Sequence, residues 1–173
     1  MRQIKLTGRV IIKQDDVILV DKYNDILSNG YKWFCSMWLC SSIASVNIGQ
    51  KLFVIYLGKG DSANTFSTSA LSSQITLTPS MQTGTGVQGT GSHYESRFTS
   101  TWLSGLVNAQ LTGEEQIKEV GLFFGMCNTQ TTQWTSVTWA QGLFSRVVLG
   151  ENSFVPDASK PLTIDWTIGV DFV

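Results

Sequence analysis

His93 is the only histidine in the chain, so any serine–histidine–acid chemistry would have to pass through it. Serines and acidic residues are plentiful. A general base, however, works only when its geometry is fixed against nucleophile and substrate. His93 follows a glycine-rich stretch at 83–92 (TGTGVQGTGS) and opens a strand. It therefore reads as a surface histidine at a strand start. No catalytic residue is expected, and the chain is not expected to be an enzyme.

Gly84, Gly86 and Gly89 spell G-x-G-x-x-G. As a dinucleotide fingerprint this needs a strand before it, a helix after it and an acidic residue about 20 positions on. Strand-like sequence follows instead, and Asn108 and Gln110 stand where the acid belongs. The stretch reads as a flexible loop. Cys35 and Cys40 lie on different faces of a helical segment. With Cys127 and one histidine they do not make a zinc site, and they read as small buried apolar side chains. Glu114–Glu115 and Asp15–Asp16 lack the further oxygen ligands calcium requires, and read as solvated turns. No metal and no cofactor is expected.

Tryptophan is harder to dismiss. Trp33 and Trp38 belong to the helical segment and Trp166 to an alternating face, positions that suit a core; Trp102 is a large residue on a strand. Trp134 and Trp139 fall in a Thr/Gln/Ser-rich stretch. Together with Tyr94 they are the candidate contact residues. Exposed aromatics concentrate at protein interfaces, and they also stack on sugar rings. Packing or an interface is the favoured reading, with sugar binding as the alternative.

Charge narrows the partners. Only 14% of residues are charged, against about 25% in an ordinary soluble domain, and the net charge is −1 without blocks of either sign. No basic face is available to grip nucleic acid or an anionic membrane. A neutral, hydroxyl- and amide-rich surface suits permanent assembly. No window reaches 18 apolar residues, and strand-like sequence follows Met1 directly. The expectation is a chain made in a cytosol with reduced thiols.

The elements that must position these residues are mostly strands. Residues 4–12 (IKLTGRVII) and 17–20 (VILV) read as a hairpin around a polar turn at 13–16. Residues 28–45 carry the one helical pattern, with the helix at about 29–45 and Ser28 or Asn29 as its cap. Residues 51–57 (KLFVIYL) read as a buried strand, broken by Gly58-Lys59-Gly60-Asp61 and followed by a Ser/Thr-rich loop. From His93 onward the pattern is β, ending in 162–172 (LTIDWTIGVDF), where Leu162, Ile164, Trp166, Ile168 and Val170 alternate with polar or small residues. This predicts a mainly β protein, an antiparallel β-sandwich of jelly-roll type with one α-helix in its N-terminal half. Residues 1–24 form an N-terminal hairpin or arm, and 25–173 form the sandwich domain.

Three segments then occur in order: 118–124 (KEVGLFF), 142–154 (GLFSRVVLGENSF) and 160–170 (KPLTIDWTIGV). Earlier stand NGYKWFCSMWL, FVIYLGKGDSANTFSTSAL and YESRFTS. The series, over roughly residues 25 to 173, resembles small virion structural proteins of tailed bacteriophages. The resemblance implies a non-enzymatic structural protein that decorates the capsid or belongs to the tail. It would contact copies of itself and other virion proteins, be made in the host bacterial cytoplasm and end up in the virion. A carbohydrate-binding or receptor-binding lectin-like sandwich, using Trp134, Trp139 and Tyr94, is the alternative. Assembly also needs segments that order on contact; the hairpin and the loops at 58–70 and 80–92 are the candidates. Finally, Arg146 is a lone charge in an apolar strand, and Glu119 or Asp165 is its expected cross-strand partner. As an exposed pair it would be worth about 0–1 kcal/mol and would set register.

Overall fold

Strands β1 (Ile4–Gln14) and β2 (Val17–Asn24) form the expected hairpin. The computed structural model describes residues 3–39, 51–75, 85–102, 116–126 and 142–173; at 33, 35–39, 51–52, 85–88, 90 and 125–126 it describes the backbone alone. The hairpin turns on Asp15 and Asp16, whose φ angles are 50° and 65°. A two-residue turn of that hand matches the right-handed twist of the strands it joins, and Asp tolerates it. The acidic pair is thus a turn device.

The hairpin is not a detached arm. β1 pairs along its whole length with β8 (Leu162–Phe172), from Ile4 opposite Phe172 to Gln14 opposite Leu162. It also sends Leu6, Val10 and Ile12 into the core. The Gln14 side-chain amide donates to the Asp157 carbonyl (2.8 Å) and its oxygen accepts from the Asp157 amide (3.0 Å). A strand bonded on both edges, with its turn moored to the segment before β8, belongs to the sheet.

β8 has β5 (His93–Trp102) on its other side, and β4 (Thr85–Thr90) closes that edge, giving the order β2-β1-β8-β5-β4. β4 corrects the reading of 83–92 as a flexible loop. Its glycines left no apolar alternation to read, but the edge of β5 supplies the hydrogen-bonding partner that the stretch lacks by itself. Gly91 takes φ +69° at the first turn position, which glycine adopts at no steric cost. The G-x-G-x-x-G is therefore followed by a hairpin and an antiparallel strand, not by a helix.

A second antiparallel sheet holds β3 (Lys51–Gly58), β6 (Glu119–Met126) and β7 (Gly142–Val148) in the order β3-β6-β7. The two sheets share one core. The larger contributes Val10, Ile12, Phe98, Ile164 and Trp166; the smaller contributes Ile55, Leu57, Val120, Leu122 and Phe144. Phe53 bridges them, with ring centroids 4.3 Å from Phe98 and 5.6 Å from Phe144. Among the described residues the protein is mainly β, two facing antiparallel sheets with one short α-helix. The order found among the described strands supports the sandwich and adds nothing for jelly-roll wiring.

Helix α1 spans Ser28–Leu39, and the rest of the helix expected to about 45 lies outside the described residues. Its entry seals the edge of β7: Ile26 bridges Ser145, and the Leu27 amide donates to the Phe144 carbonyl (3.0 Å). No described helix is long and apolar enough to cross a membrane.

The interior of β8 carries the sandwich. Trp166 is fully buried on the middle strand of the larger sheet. Trp166→Ala should lower the unfolding free energy by about 3–5 kcal/mol, read as an earlier urea midpoint at unchanged slope.

Candidate functional site

Two lone charges sit inside apolar strands, Glu119 at the start of β6 and Arg146 within β7. Arg146 lies opposite Gly121, two residues along β6 from Glu119, so the two side chains meet diagonally on one face. The Arg146 Nε donates to Glu119 Oε2 at 2.7 Å, and Nη2 stands at the same distance. Glu119 is one of the two partners expected for Arg146, but the expected exposure is wrong: side-chain exposure is 1% for Arg146 and 0% for Glu119. What covers them is the segment leaving β3.

That segment, 59–74, folds back over the outer face of the smaller sheet. Lys59 donates to the Ser73 carbonyl (2.8 Å), and Gly58 bridges Gln74. The carboxylate of Glu119 organises it. Oε1 accepts from the amides of Gly60 (3.1 Å) and Ser73 (2.8 Å), and Oε2 from the amide of Ser72 (3.1 Å). Arg146 holds the same loop with its other nitrogens. Nη1 donates to Asn64 Oδ1 (2.9 Å) and Nη2 to the Ser72 hydroxyl (2.8 Å), while Asn64 Nδ2 donates back to the Arg146 carbonyl (2.8 Å). A Cβ at Gly58 would stand 2.5 Å from Glu119 Cγ, and one at Gly60 2.6 Å from Oε1. The two glycines around Lys59 let the backbone come close enough for its amides to reach the carboxylate.

Under the same loop lies a second apolar cluster of Leu27, Leu71, Phe123 and Leu143, with Tyr56 edge-on to Phe123 at 5.1 Å. Phe66 is displayed on the outside, 64% exposed, its centroid 5.9 Å from that of Tyr31. The loop at 58–70, expected to order on contact with a neighbour, is thus already bonded to its own sheet.

Asp165, the other partner considered for Arg146, lies on the outer face of the larger sheet. It accepts from Arg97 and from the Thr99 hydroxyl (2.7 Å), with Lys13 Nζ at 3.3 Å. Burial by itself would raise this carboxyl; the Arg97 guanidinium, the Thr99 hydroxyl and Lys13 outweigh it and hold it below the usual range. Farther along the same face Arg9 grips Asp21 bidentately, at 2.8 and 2.6 Å. His93 sits between Asp171 and Glu95.

Of the three candidate contact residues, the structure places Tyr94 at one end of β5, opposite Val170 and 43% exposed. Its ring meets that of Phe172 edge-on, centroids 6.1 Å apart. Trp134 and Trp139 lie outside the described residues, as do Glu114, Glu115, Cys40 and Cys127. No cluster of three His, Cys, Asp or Glu side chains among the described residues is placed to hold a metal ion. Sequence reasoning missed the loop clip around Glu119. Its signal was present: one acid and one base, each alone in an apolar strand, and a Gly-x-Gly after a third strand.

No family model, curated protein or solved structure matches this chain.

Arg146→Met should destabilise the protein by about 3–5 kcal/mol, because it leaves a carboxylate buried without its cation. In limited proteolysis the first cuts should fall within 59–74. Arg146→Lys should rescue little, since one ammonium cannot reproduce the guanidinium fork.

Proposed function

We propose that this chain is a non-enzymatic structural protein of a tailed-bacteriophage virion, working on the capsid surface or in the tail through repeated contacts with its own copies and with other virion proteins. The observation that carries the reading is how the described charges are deployed. Glu119 and Arg146 fasten a loop, Arg9 and Asp21 tie β1 to β2, and Lys13, Asp165 and Arg97 tie β1, β8 and β5. Each pair joins two elements of the scaffold. Alongside the outward charges stand exposed apolar side chains: Phe66 on the stiffened Ser/Thr loop, and Ile4 and Tyr94 at one end of the larger sheet. Such surfaces suit contacts between subunits, where aromatics act as anchors and charge is depleted.

The sequence order of the strand segments supports the same reading through its resemblance to phage structural proteins. Of the three aromatics considered for sugar binding, Tyr94 alone falls among the described residues, and its ring is engaged with Phe172.

Mass photometry of the purified chain and electron microscopy of virions carrying it provide the test. Discrete symmetric oligomers, or regular density on capsid or tail that disappears when the gene is deleted, are expected. A solitary chain absent from purified virions would overturn the reading. Binding on a glycan array that is lost in Tyr94→Ala would move it to the lectin class.

A further inference from the structure

The single histidine has an arrangement that its exposure alone would not suggest. His93 Nδ1 lies 2.5 Å from Asp171 Oδ1, across the β5–β8 ladder. His93 Nε2 lies 2.8 Å from Glu95 Oε1, two residues along its own strand. Ionised carboxylates only accept hydrogen bonds. A neutral imidazole has one N–H and can satisfy one of them; its bare nitrogen would then face the other carboxylate's lone pairs. Both contacts are favourable at once only when both ring nitrogens carry hydrogen.

We propose that His93 is a proton-operated clasp: as an imidazolium it holds the β4–β5 hairpin end to β8, and on losing its proton it releases that end. The inference goes beyond the structural role proposed above and does not depend on it.

The surroundings fit. Lys5 of β1 stands opposite Asp171 on the far side of β8, and Thr7 stands opposite Gly169. Arg9 of β1 feels the charge of Glu95. β4 has no titratable residue in its sequence. The groups facing the ring are thus two acids on β5 and β8, with the cations of β1 one strand away. The Glu95 contact first, and the Asp171 contact next, hold His93 above the ordinary histidine value. A folded-state pKa raised in this way adds stability that is complete below about 6.5, the unfolded value, and is lost as pH rises through the folded one.

The clasp has a local lever arm. His93 precedes Tyr94 and Asp171 precedes Phe172, and those two rings meet edge-on at the exposed apolar end. The Phe172 amide donates to the Ser92 carbonyl in the hairpin turn (2.9 Å). Opening the clasp therefore loosens the aromatic pair and the turn together.

Nitrogen-15 NMR of the histidine-labelled full chain tests this, because one histidine gives one set of ring signals. The titration midpoint should lie above 6.5, the ordinary histidine value, with both ring nitrogens carrying hydrogen below that midpoint. Glu95→Gln should move the midpoint down. Amide exchange at 89–95 and 169–173, corrected for the intrinsic pH dependence, should quicken several-fold above the midpoint in the native chain. In His93→Gln, which keeps the fold because the site is surface-exposed, that step should vanish. A midpoint at or below 6.5, an unmoved midpoint in Glu95→Gln, or the same exchange step in His93→Gln would each overturn the proposal.

Discussion

A carboxylate and a guanidinium without water around them set the terms for the smaller sheet. Burying such a pair costs several kcal/mol per ion, and mutual attraction offsets that only when the remaining hydrogen-bonding capacity is also filled. Glu119 and Arg146 fill it with the loop: three backbone amides on the acid, and the Asn64 and Ser72 side chains on the base. The loop in turn shuts Leu71 onto Phe123 and Leu143. Sheet register, loop path and the second apolar cluster thus depend on one contact. A one-residue slip of β7 would point Arg146 at the main core, so the pair also selects the register.

The larger sheet uses charge differently. Its outer face would be a plain polar surface, but Arg9 with Asp21, Lys13 and Arg97 with Asp165, and His93 with Asp171 stitch neighbouring strands. Most of these contacts are open to solvent and individually weak. They add order to a sheet whose stability comes from Val10, Ile12, Ile164 and Trp166 on the other face. A chain with few charged residues can afford this because the ones it has are so often opposite a partner.

Much of the fold was legible because period-2 alternation is a local signal. β8 shows it without a fault, and the apolar runs of β3, β6 and β7 declare themselves as buried strands. β4 did not, because Thr85–Thr90 (TGVQGT) has one apolar side chain, Val87, and so no alternation to read; pairing with a neighbouring strand makes it a strand. The standing of the hairpin in the sheet was hidden for the same reason, since its partner β8 lies at the other end of the described chain. Of the site, Arg146 as a lone charge in an apolar strand called for an acid, Glu119 or Asp165, and the register of β6 and β7 selects Glu119. The burial of the pair did not, because the loop that covers it reads as an ordinary Ser/Thr connection. His93 looked like a surface residue and is one; only the cross-strand register brings Asp171 to its ring.

The position of β8 between β1 and β5 has a temporal side. As the chain leaves a ribosome at about 5–20 residues per second, β1 emerges well before the strand it must bond, a wait of roughly 8–30 seconds. Through that interval Leu6, Val10 and Ile12 have only β2 beside them, and an isolated hairpin is marginal in water. Closing the ladder between Ile4–Gln14 and Leu162–Phe172 joins distant parts of the chain, a slow kind of step. The nascent chain therefore carries an open, sticky edge until its last described strand arrives, and it is in this window that a chaperone, or a second nascent copy, has access to it.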